Sequence, residues 1–520
     1  MSPKIILTAD RTLMSEYRNV PLADFFACTP VEKVPQWVFD FFAPQFPHNN
    51  GVAIRAPYGL RKLEAALLRE FERKDVVVVH PDHVENFLGP ETRIVCVSTM
   101  DPFSLGPVSA MFTGAGKLAS YSESMFIDLV KRIVITRKNK GFDFKLLVGG
   151  AGSWQFAYRR SRISELGIDH VVIGETEHVA HELFREILEG NPPDVIEIRS
   201  YPEVDEIPPI MAPSMHSMVE VTRGCGRGCR FCEPNLRFAR HMPIDRIIAE
   251  TIVNADGGAR SIWVLSEDVF LYKLEDRKNF IPNREALNEL FQKIASTRGV
   301  LHTYLTHASI APAVADPEMV AEISKIIKSG PNNPIGIQPG LETGSKEIIR
   351  RYMPLKAKPF TPDEWFDIVI EGTRIFNENY WFPAYTLIVG LPDETMDDAW
   401  ETLRLIDALE RKLPEKVGER AHFVIAPLAF VPVGVLRGKE FFDIDKQINE
   451  ASWCVIYRAW KHTLLELERF PWFSKYNPGL CLMLRGLGGL GLRAALWNIK
   501  RWGRRLGFDV EKADQIHEAD

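Results

Sequence analysis

The chain has 520 residues, 46% of them hydrophobic and 25% charged, with a formal net charge of −6. That length exceeds one ordinary core and predicts two or three domains of a soluble globular protein. The charge gives no basis for nucleic-acid binding, no apolar stretch is long enough to span a bilayer, and the N-terminus lacks the apolar run of a signal peptide, so a cytoplasmic protein is expected.

The first two hundred residues alternate strand and helix signals. Residues 4–8, 76–80, 94–98, 145–148 and 171–173 are short apolar or β-branched runs, while 60–73, 126–137 and 177–189 have helical periodicity. The alternation predicts a parallel α/β sheet, a Rossmann-like domain over residues 1–190, with ligands at the strand carboxyl ends. Three runs fall at those ends: Ser98-Thr99-Met100-Asp101, Gly149-Gly150-Ala151-Gly152 and Gly174-Glu175. Their glycines permit tight turns and close approach of a ligand to the backbone. Residues 191–210, rich in Pro and acidic side chains, read as a linker.

A second alternation occupies residues 211–431. Strands are expected at 215–221, 261–265, 303–305, 335–339, 385–389 and 422–426, with helices at 244–254, 284–297, 317–329, 362–378 and 395–411. About six βα units suit a partial (β/α)6 barrel with its site at the strand C-termini. Residues 432–520 turn mostly helical. They hold the cluster Phe470-Pro471-Trp472-Phe473 and a stretch with Arg485, Arg493, Lys500, Arg501, Arg504 and Arg505 but no acid, interleaved with Leu487, Leu490, Leu492, Leu496 and Trp497. That stretch reads first as a helix packed on the barrel with a solvated basic face. Docking on an acidic protein or a membrane surface is the alternative.

Cys225, Cys229 and Cys232 carry the sharpest chemical signal. They form C-x3-C-x2-C on a Gly-rich loop directly after the strand expected at 215–221. Three thiolates so spaced can hold three corners of a cubane iron–sulfur cluster and leave the fourth iron open to a substrate. A zinc site would want a fourth N or S ligand nearby, a bacterial ferredoxin run has another spacing, and a disulfide would leave one thiol over. Cys28, Cys96, Cys454 and Cys481 are scattered and read as buried free thiols.

With Phe231 just before the last cysteine, the triplet resembles the signature of the radical S-adenosylmethionine (SAM) superfamily. The resemblance implies that the open iron binds SAM, that one electron cleaves it to methionine and a 5′-deoxyadenosyl radical, and that Phe231 lies against the adenine. Further motifs follow in the family's order. Ser266-Glu267-Asp268 ends the strand at 261–265, where the family usually has Gly-Gly-Glu; the glycines are replaced and the acid kept. The resemblance makes Glu267, with Asp268 second, the contact for the SAM amino group. Gly340-Leu341-Glu342-Thr343-Gly344-Ser345 matches the family's Gly-x-Glu-x-Gly-Ser run, which implies that Glu342, Gly344 and Ser345 meet the ribose or carboxylate. Gly390-Leu391-Pro392-Asp393-Glu394-Thr395 is close to a run whose backbone, here Gly390 and Leu391, meets the adenine. Taken singly, Glu267 could cap a helix and Gly344-Ser345 could be an ordinary turn.

An α/β domain ahead of such a barrel is similar to the cobalamin-binding domain of the cobalamin-dependent radical SAM enzymes. The resemblance implies a corrinoid across the strand ends, with Thr99, Met100 and Asp101 near the ring and Gly149, Gly150, Ala151, Gly152, Gly174 and Glu175 around the nucleotide tail. The D-x-H-x-x-G motif that supplies a cobalt ligand in many corrinoid proteins is absent, so a base-off cofactor without that His is expected. The expected activity is radical C-methylation of an unactivated carbon, with an external electron donor. Tyr304, His307, Tyr352, Tyr380 and Tyr385 are candidate substrate or cobalt contacts. The opening Thr8-Ala9-Asp10-Arg11-Thr12-Leu13-Met14-Ser15 is similar to methanogen members, some of which modify methyl-coenzyme M reductase; a protein or peptide substrate is therefore expected, with a glutamine of that reductase the sharpest case. Cyclisation or rearrangement without methyl transfer is the second enzyme reading, and a carrier that only binds its cofactor is the third.

Overall fold

The computed structural model describes residues 2–20, 23–190, 192–233, 237–469 and 478–515. The Phe470–Phe473 cluster and the side chains of Cys481, Arg485, Leu487 and Leu492 lie outside the described residues. Two compact units divide the chain: Met1–Val219 with Ile244–Ile262, and Glu220–Pro243 with Trp263–Asp520.

The first unit holds a six-stranded sheet: β1 (Ile5–Ala9), β2 (Val76–Val78), β3 (Ile94–Ser98), β4 (Lys145–Gly149), β5 (His170–Ile173) and β6 (Val195–Glu197). Their order is β2-β1-β3-β4-β5-β6 and every neighbouring pair is parallel. β1 is buried along its whole length, as its unbroken apolar run requires for a strand covered on both faces. The order reverses between β1 and β3, which opens a crevice beyond their C-terminal ends. Helix Tyr121–Lys140 shows how the local sequence sets a boundary. Ser120 accepts from the Glu123 N–H at its start, and left-handed Gly141 ends it behind Arg137, Lys138 and Lys140.

The linker expected at 191–210 is corrected by β6, which pairs Val195 and Ile196 with Val171 and Val172. Two β-branched residues suffice for a short edge strand beside a buried one. The strand expected at 215–221 is shorter, because His216 and Ser217 take left-handed backbone and bend the chain first.

The second run of strands is β7 (Met218–Glu220), β8 (Ser261–Leu265), β9 (His302–Leu305), β10 (Ile335–Ile337), β11 (Gly340–Glu342), β12 (Trp381–Val389) and β13 (Val424–Ala429). β8 lies between β7 and β9, and β12 pairs in parallel with β10, β11 and β13. The Thr306 N–H bonds the Val264 carbonyl, and the Gln338 N–H bonds the Thr306 carbonyl, so the series continues from β8 through β9 to β10. This is the expected partial barrel of strands alternating with helices. Helix Glu450–Arg469 packs on it through His462, set between Glu410 Oε1 and the Phe423 carbonyl at 2.9 Å each. Helix Pro478–Arg505 follows; the Trp453 indole donates to its Ile499 carbonyl, while Leu490 (63%) and Trp497 (60%) stay exposed. Among the described residues no helix is long and apolar enough to cross a membrane.

Candidate active site

The cysteine loop leaves β7 and is closed at its base by a two-residue antiparallel ladder, Thr222–Arg223 with Arg240–His241. Within it Gly224, Gly226 and Gly228 all have left-handed backbone, with φ of 82°, 74° and 70°. Only glycine repeats that conformation without steric cost. Cys225 and Cys229 are buried and Cys232 is half-buried; none of the three is in a disulfide. Cys225 packs on Leu271 and Phe280 with Leu274 and Leu355 beside it. Burial pushes its thiol well up, and the Arg227 charge opposes that shift. Thiolates at buried positions such as Cys225 and Cys229 need positive charge close by, which the irons of a cluster supply. Among the described residues no three His, Cys, Asp or Glu side chains are gathered around a single point. A cubane places no such demand, since each thiolate takes its own iron. The three cysteines therefore fit a cluster.

Two predicted acids brace this loop. The Gly224 N–H donates to Glu267 Oε2 at 3.0 Å. Burial pushes the Glu267 carboxyl up to about 7, and Glu220 adds to the shift while Arg223 opposes it. Asp268 is buried and committed: it accepts from Arg227 Nε at 3.3 Å, from the Phe270 N–H at 3.2 Å and from the Ser309 N–H at 3.0 Å. Ser266 accepts the Asp268 N–H. Glu267 is thus the acid that accepts from the backbone of the cysteine loop, and Asp268 holds the frame. Phe231 is half-buried between Arg230 and Cys232.

The later motifs divide between ligand-facing and structural use. Glu342 ends β11 with left-handed backbone (φ 65°), a strained state for a glutamate. Its buried carboxyl is pushed up by desolvation and held by Lys356 Nζ at 3.5 Å and Thr386 Oγ1 at 3.3 Å. Gly344 and Ser345 serve the fold: the Gly344 N–H bonds Thr402 Oγ1 at 2.9 Å, and Ser345 caps helix Lys346–Tyr352. The Gly390 N–H donates to Glu394, whose carboxyl is raised to about 7 by burial. Gly390 and Leu391 line a cavity of about 380 Å³ with Phe430, Phe442 and Lys439.

The five candidate contacts do not share one surface. His307 follows β9, and its Nδ1–H faces the Gln338 carbonyl at 3.0 Å; burial lowers its pKa and keeps it neutral. The Tyr352 hydroxyl donates to the Pro392 carbonyl, and its own carbonyl accepts the Arg230 N–H of the cysteine loop. Tyr304 bonds Asn333 and lies over Trp263. Tyr380 precedes β12 and so stands at the opposite end of that strand from Gly390. Tyr385 is fully buried with its hydroxyl on Thr373 of helix Trp365–Glu378, a core position. Two contributors to the loop were not anticipated. One is Arg227, inside the motif itself. The other is Gly434, beyond the expected barrel boundary: a Cβ there would lie 2.9 Å from the Arg230 carbonyl and 3.1 Å from the Cys232 nitrogen. The signal available was Pro432-Val433-Gly434, a turn sequence just past the last strand.

In the first unit the loops after β3 and β4 interlock. The Thr99 N–H bonds the Gly149 carbonyl, and the Gly152 N–H bonds the Thr99 carbonyl, both at 2.9 Å. A Cβ on Gly152 would sit 2.3 Å from the Met100 carbonyl oxygen, so this glycine is required by loop-on-loop packing. Gly174 is likewise packed against Ile198. Met100 is 54% exposed at the crest, with Ala151 exposed beside it in the chain's fourth-strand loop. Asp101 Oδ1 accepts from the Gly106 N–H and from Gln155, while Asp101 Oδ2 and Thr99 Oγ1 are buried without a partner among the described residues. Unused polar atoms at a sheet's C-terminal edge suit a hydrogen-bonding cofactor.

Residues 219–406 match the radical SAM superfamily. They form a radical SAM domain. Such a domain works with a [4Fe–4S] cluster and SAM, and Cys225, Cys229 and Cys232 lie within the matched residues. Among curated proteins, the tRNA-2-methylthio-N(6)-dimethylallyladenosine synthase of Thermotoga petrophila is 24% identical over 289 residues, 55% of this chain and 60% of that protein. The ribosomal protein uS12 methylthiotransferase RimO of Leptospira biflexa is 27% identical over 213 residues, 39% of this chain and 40% of that one. The chain thus spans 60% and 40% of the length of these relatives, less than two thirds of either. Among solved structures, the radical SAM methyltransferase TsrM from Kitasatospora setae, with cobalamin and a [4Fe–4S] cluster bound, has a TM-score of 0.53 at 13% identity, covering 84% of this chain and 77% of TsrM. The cobalamin-dependent SAM radical enzyme OxsB, with aqua-cobalamin and SAM bound, has a TM-score of 0.60 at 11% identity, covering 96% and 72%. At these identities the likeness is one of fold.

Proposed function

We propose that this chain is a cobalamin-dependent radical SAM C-methyltransferase. The observation that carries the reading is the combination in one chain of the braced three-cysteine loop with a parallel β2-β1-β3-β4-β5-β6 sheet whose edge exposes Met100 and holds the polar Thr99 and Asp101 just beneath it. TsrM and OxsB share that combined fold over most of the chain, and both hold cobalamin. When bound, the cluster and SAM supply a hydrogen-abstracting radical, and the corrinoid supplies a methyl group. The chain's own residues hold and orient. Glu267 presents a carboxylate oxygen to a SAM ammonium while its other oxygen pins Gly224. Glu342 and Lys356 present a compensated polar pair. Thr99 Oγ1 and Asp101 Oδ2 offer hydrogen bonds to a corrinoid. Burial of the thiols and acids excludes water, as radical chemistry requires.

The substrate class in this reading is a protein or peptide, with a glutamine of methyl-coenzyme M reductase the sharpest case. Its support is the exposed Leu490 and Trp497 on a helix that also exposes Arg493, Arg501, Arg504 and Arg505, a face able to receive an acidic chain. The cytoplasm suits reduced thiols and an oxygen-sensitive cluster. The RNA named for the Thermotoga protein is not carried over, since the match stops at 60% of that protein. In the test, anaerobically reconstituted protein is incubated with SAM, methylcobalamin, a low-potential reductant and candidate peptides. The expected result is a peptide heavier by one CH2. SAM cleavage with a small metabolite rearranged and no methyl gained would establish the second reading. Absence of SAM cleavage in cluster-loaded protein would overturn both.

A further inference from the structure

Arg227 lies between Cys225 and Cys229, is 2% exposed, and has no role in the reading above. Three of its surfaces are occupied. Nε donates to Asp268 at 3.3 Å, Nη1 donates to the Leu355 carbonyl at 3.1 Å, and the guanidinium carbon stands 4.6 Å from the Phe280 ring centre. Nη2 is buried and has no acceptor among the described protein atoms. The side chain is therefore immobilised with one N–H edge unspent, in the loop that carries the cysteines. Cys225 packs on the same Phe280 ring, and the Arg227 backbone N–H bonds the Cys225 sulfur. A purely bracing ion pair leaves this edge unexplained, because a buried donor without an acceptor is costly.

The geometry points to a positioning role: Arg227 is poised to donate its Nη2–H to a sulfur of the cluster held by Cys225, and its fixed charge raises the reduction potential of that cluster. The inference rests on the cysteine loop being a cluster site. The couple is one electron accepted by the cluster from an external reductant. Reduction adds one negative charge to an already anionic group, so a buried cation at fixed distance favours the reduced form. Hydrogen bonds to cluster sulfurs act in the same direction. Asp268 fixes the guanidinium, and its own backbone contacts to Phe270 and Ser309 keep it from following the side chain.

The test is an EPR-monitored redox titration of the full chain, reconstituted without oxygen and titrated in the absence of SAM, with iron and sulfide content measured alongside. Arg227→Gln removes the charge but keeps a donor for Asp268. Arg227→Lys keeps the charge but loses the planar fork that aims Nη2 away from Asp268 and the Leu355 carbonyl. Both are expected to have altered g-values and lowered midpoint potentials, the Gln variant more so. A Gln variant with wild-type potential and g-values overturns the inference. Where the Gln variant loads no cluster, the Lys variant decides: unchanged potential and g-values overturn it, and a lowered potential supports it. Wild-type protein that assembles no cluster overturns instead the reading of the cysteine loop, and the two failures are thereby told apart.

Discussion

Glu267 does two jobs at once, and one substitution separates them. Glu267→Gln keeps an oxygen for the Gly224 N–H, so cluster content is expected to stay near wild type. It removes the negative charge that a SAM ammonium would meet. A hydrogen bond to a charged group contributes about 1.5–3 kcal/mol, so SAM affinity should fall roughly 10- to 100-fold, measured by equilibrium dialysis under anaerobic conditions. Glu394 gives a pH signature. Its carboxyl is raised from 4.5 to about 7 by burial, so the folded chain keeps a proton that the unfolded chain has released. The resulting stability is fully present below pH 4.5 and is lost as pH rises through 7. The shift corresponds to roughly 3 kcal/mol. Glu394→Gln should therefore gain about that much relative to wild type between pH 5 and pH 8 in chemical unfolding. The cysteine spacing and the acids after β8 were legible because they are consecutive in sequence. Arg227 was not, since its meaning depends on Asp268, Phe280 and Leu355, which only folding brings to it.

At the scale of elements, the strands were legible wherever β-branched runs are buried on both faces, as in β1 and β3. Edge strand β6 was hidden because two apolar residues among prolines and acids do not make a periodic signal. The glycine run after β4 was legible as a site at a strand end, but its geometry was not: much of it serves to lock one loop on another. This predicts a contrast. Gly152→Ala drives a Cβ to 2.3 Å from the Met100 carbonyl oxygen, where backbone must move. It should cost about 1–3 kcal/mol as overpacking and displace Met100 and Asp101, weakening cobalamin binding. Gly149→Ala meets nothing closer than 3.7 Å and should be near neutral in stability. Thermal unfolding and a cobalamin titration by absorbance check both arms. Equal stability of the two variants would show that the loops do not interlock as described.

At the scale of the molecule, chain order and compact units diverge. Residues 244–262 follow the cysteine loop in sequence yet cluster with residues 1–219. Glu250, on helix Ile244–Asp256, is the reason. Its buried carboxylate pairs with Lys62 and accepts from the Tyr58 hydroxyl and the Ile210 N–H. Lys62 in turn donates to the Pro208 carbonyl. Asn254, one turn on, accepts the Ser214 N–H. No reading of local periodicity could assign that helix to the first unit, since its apolar face is equally suited to a barrel. The consequence is that a fragment cut at residue 210 keeps Lys62 but loses its counterion. Removing one partner of a buried pair costs about 3–5 kcal/mol, because the remaining charge stays desolvated. Glu250→Ala in the full chain should show that loss in chemical unfolding, and Lys62→Met with Glu250→Met together should recover much of it, since no charge is then left buried. The fragment 1–210 should be less stable than the first unit of the intact chain, because it loses the buried Lys62–Glu250 pair together with the helix that covers it, measured by circular dichroism. A fragment that unfolds with the cooperativity and midpoint of the intact first unit would mean that helix Ile244–Asp256 belongs with the radical SAM domain in structure as well as in sequence.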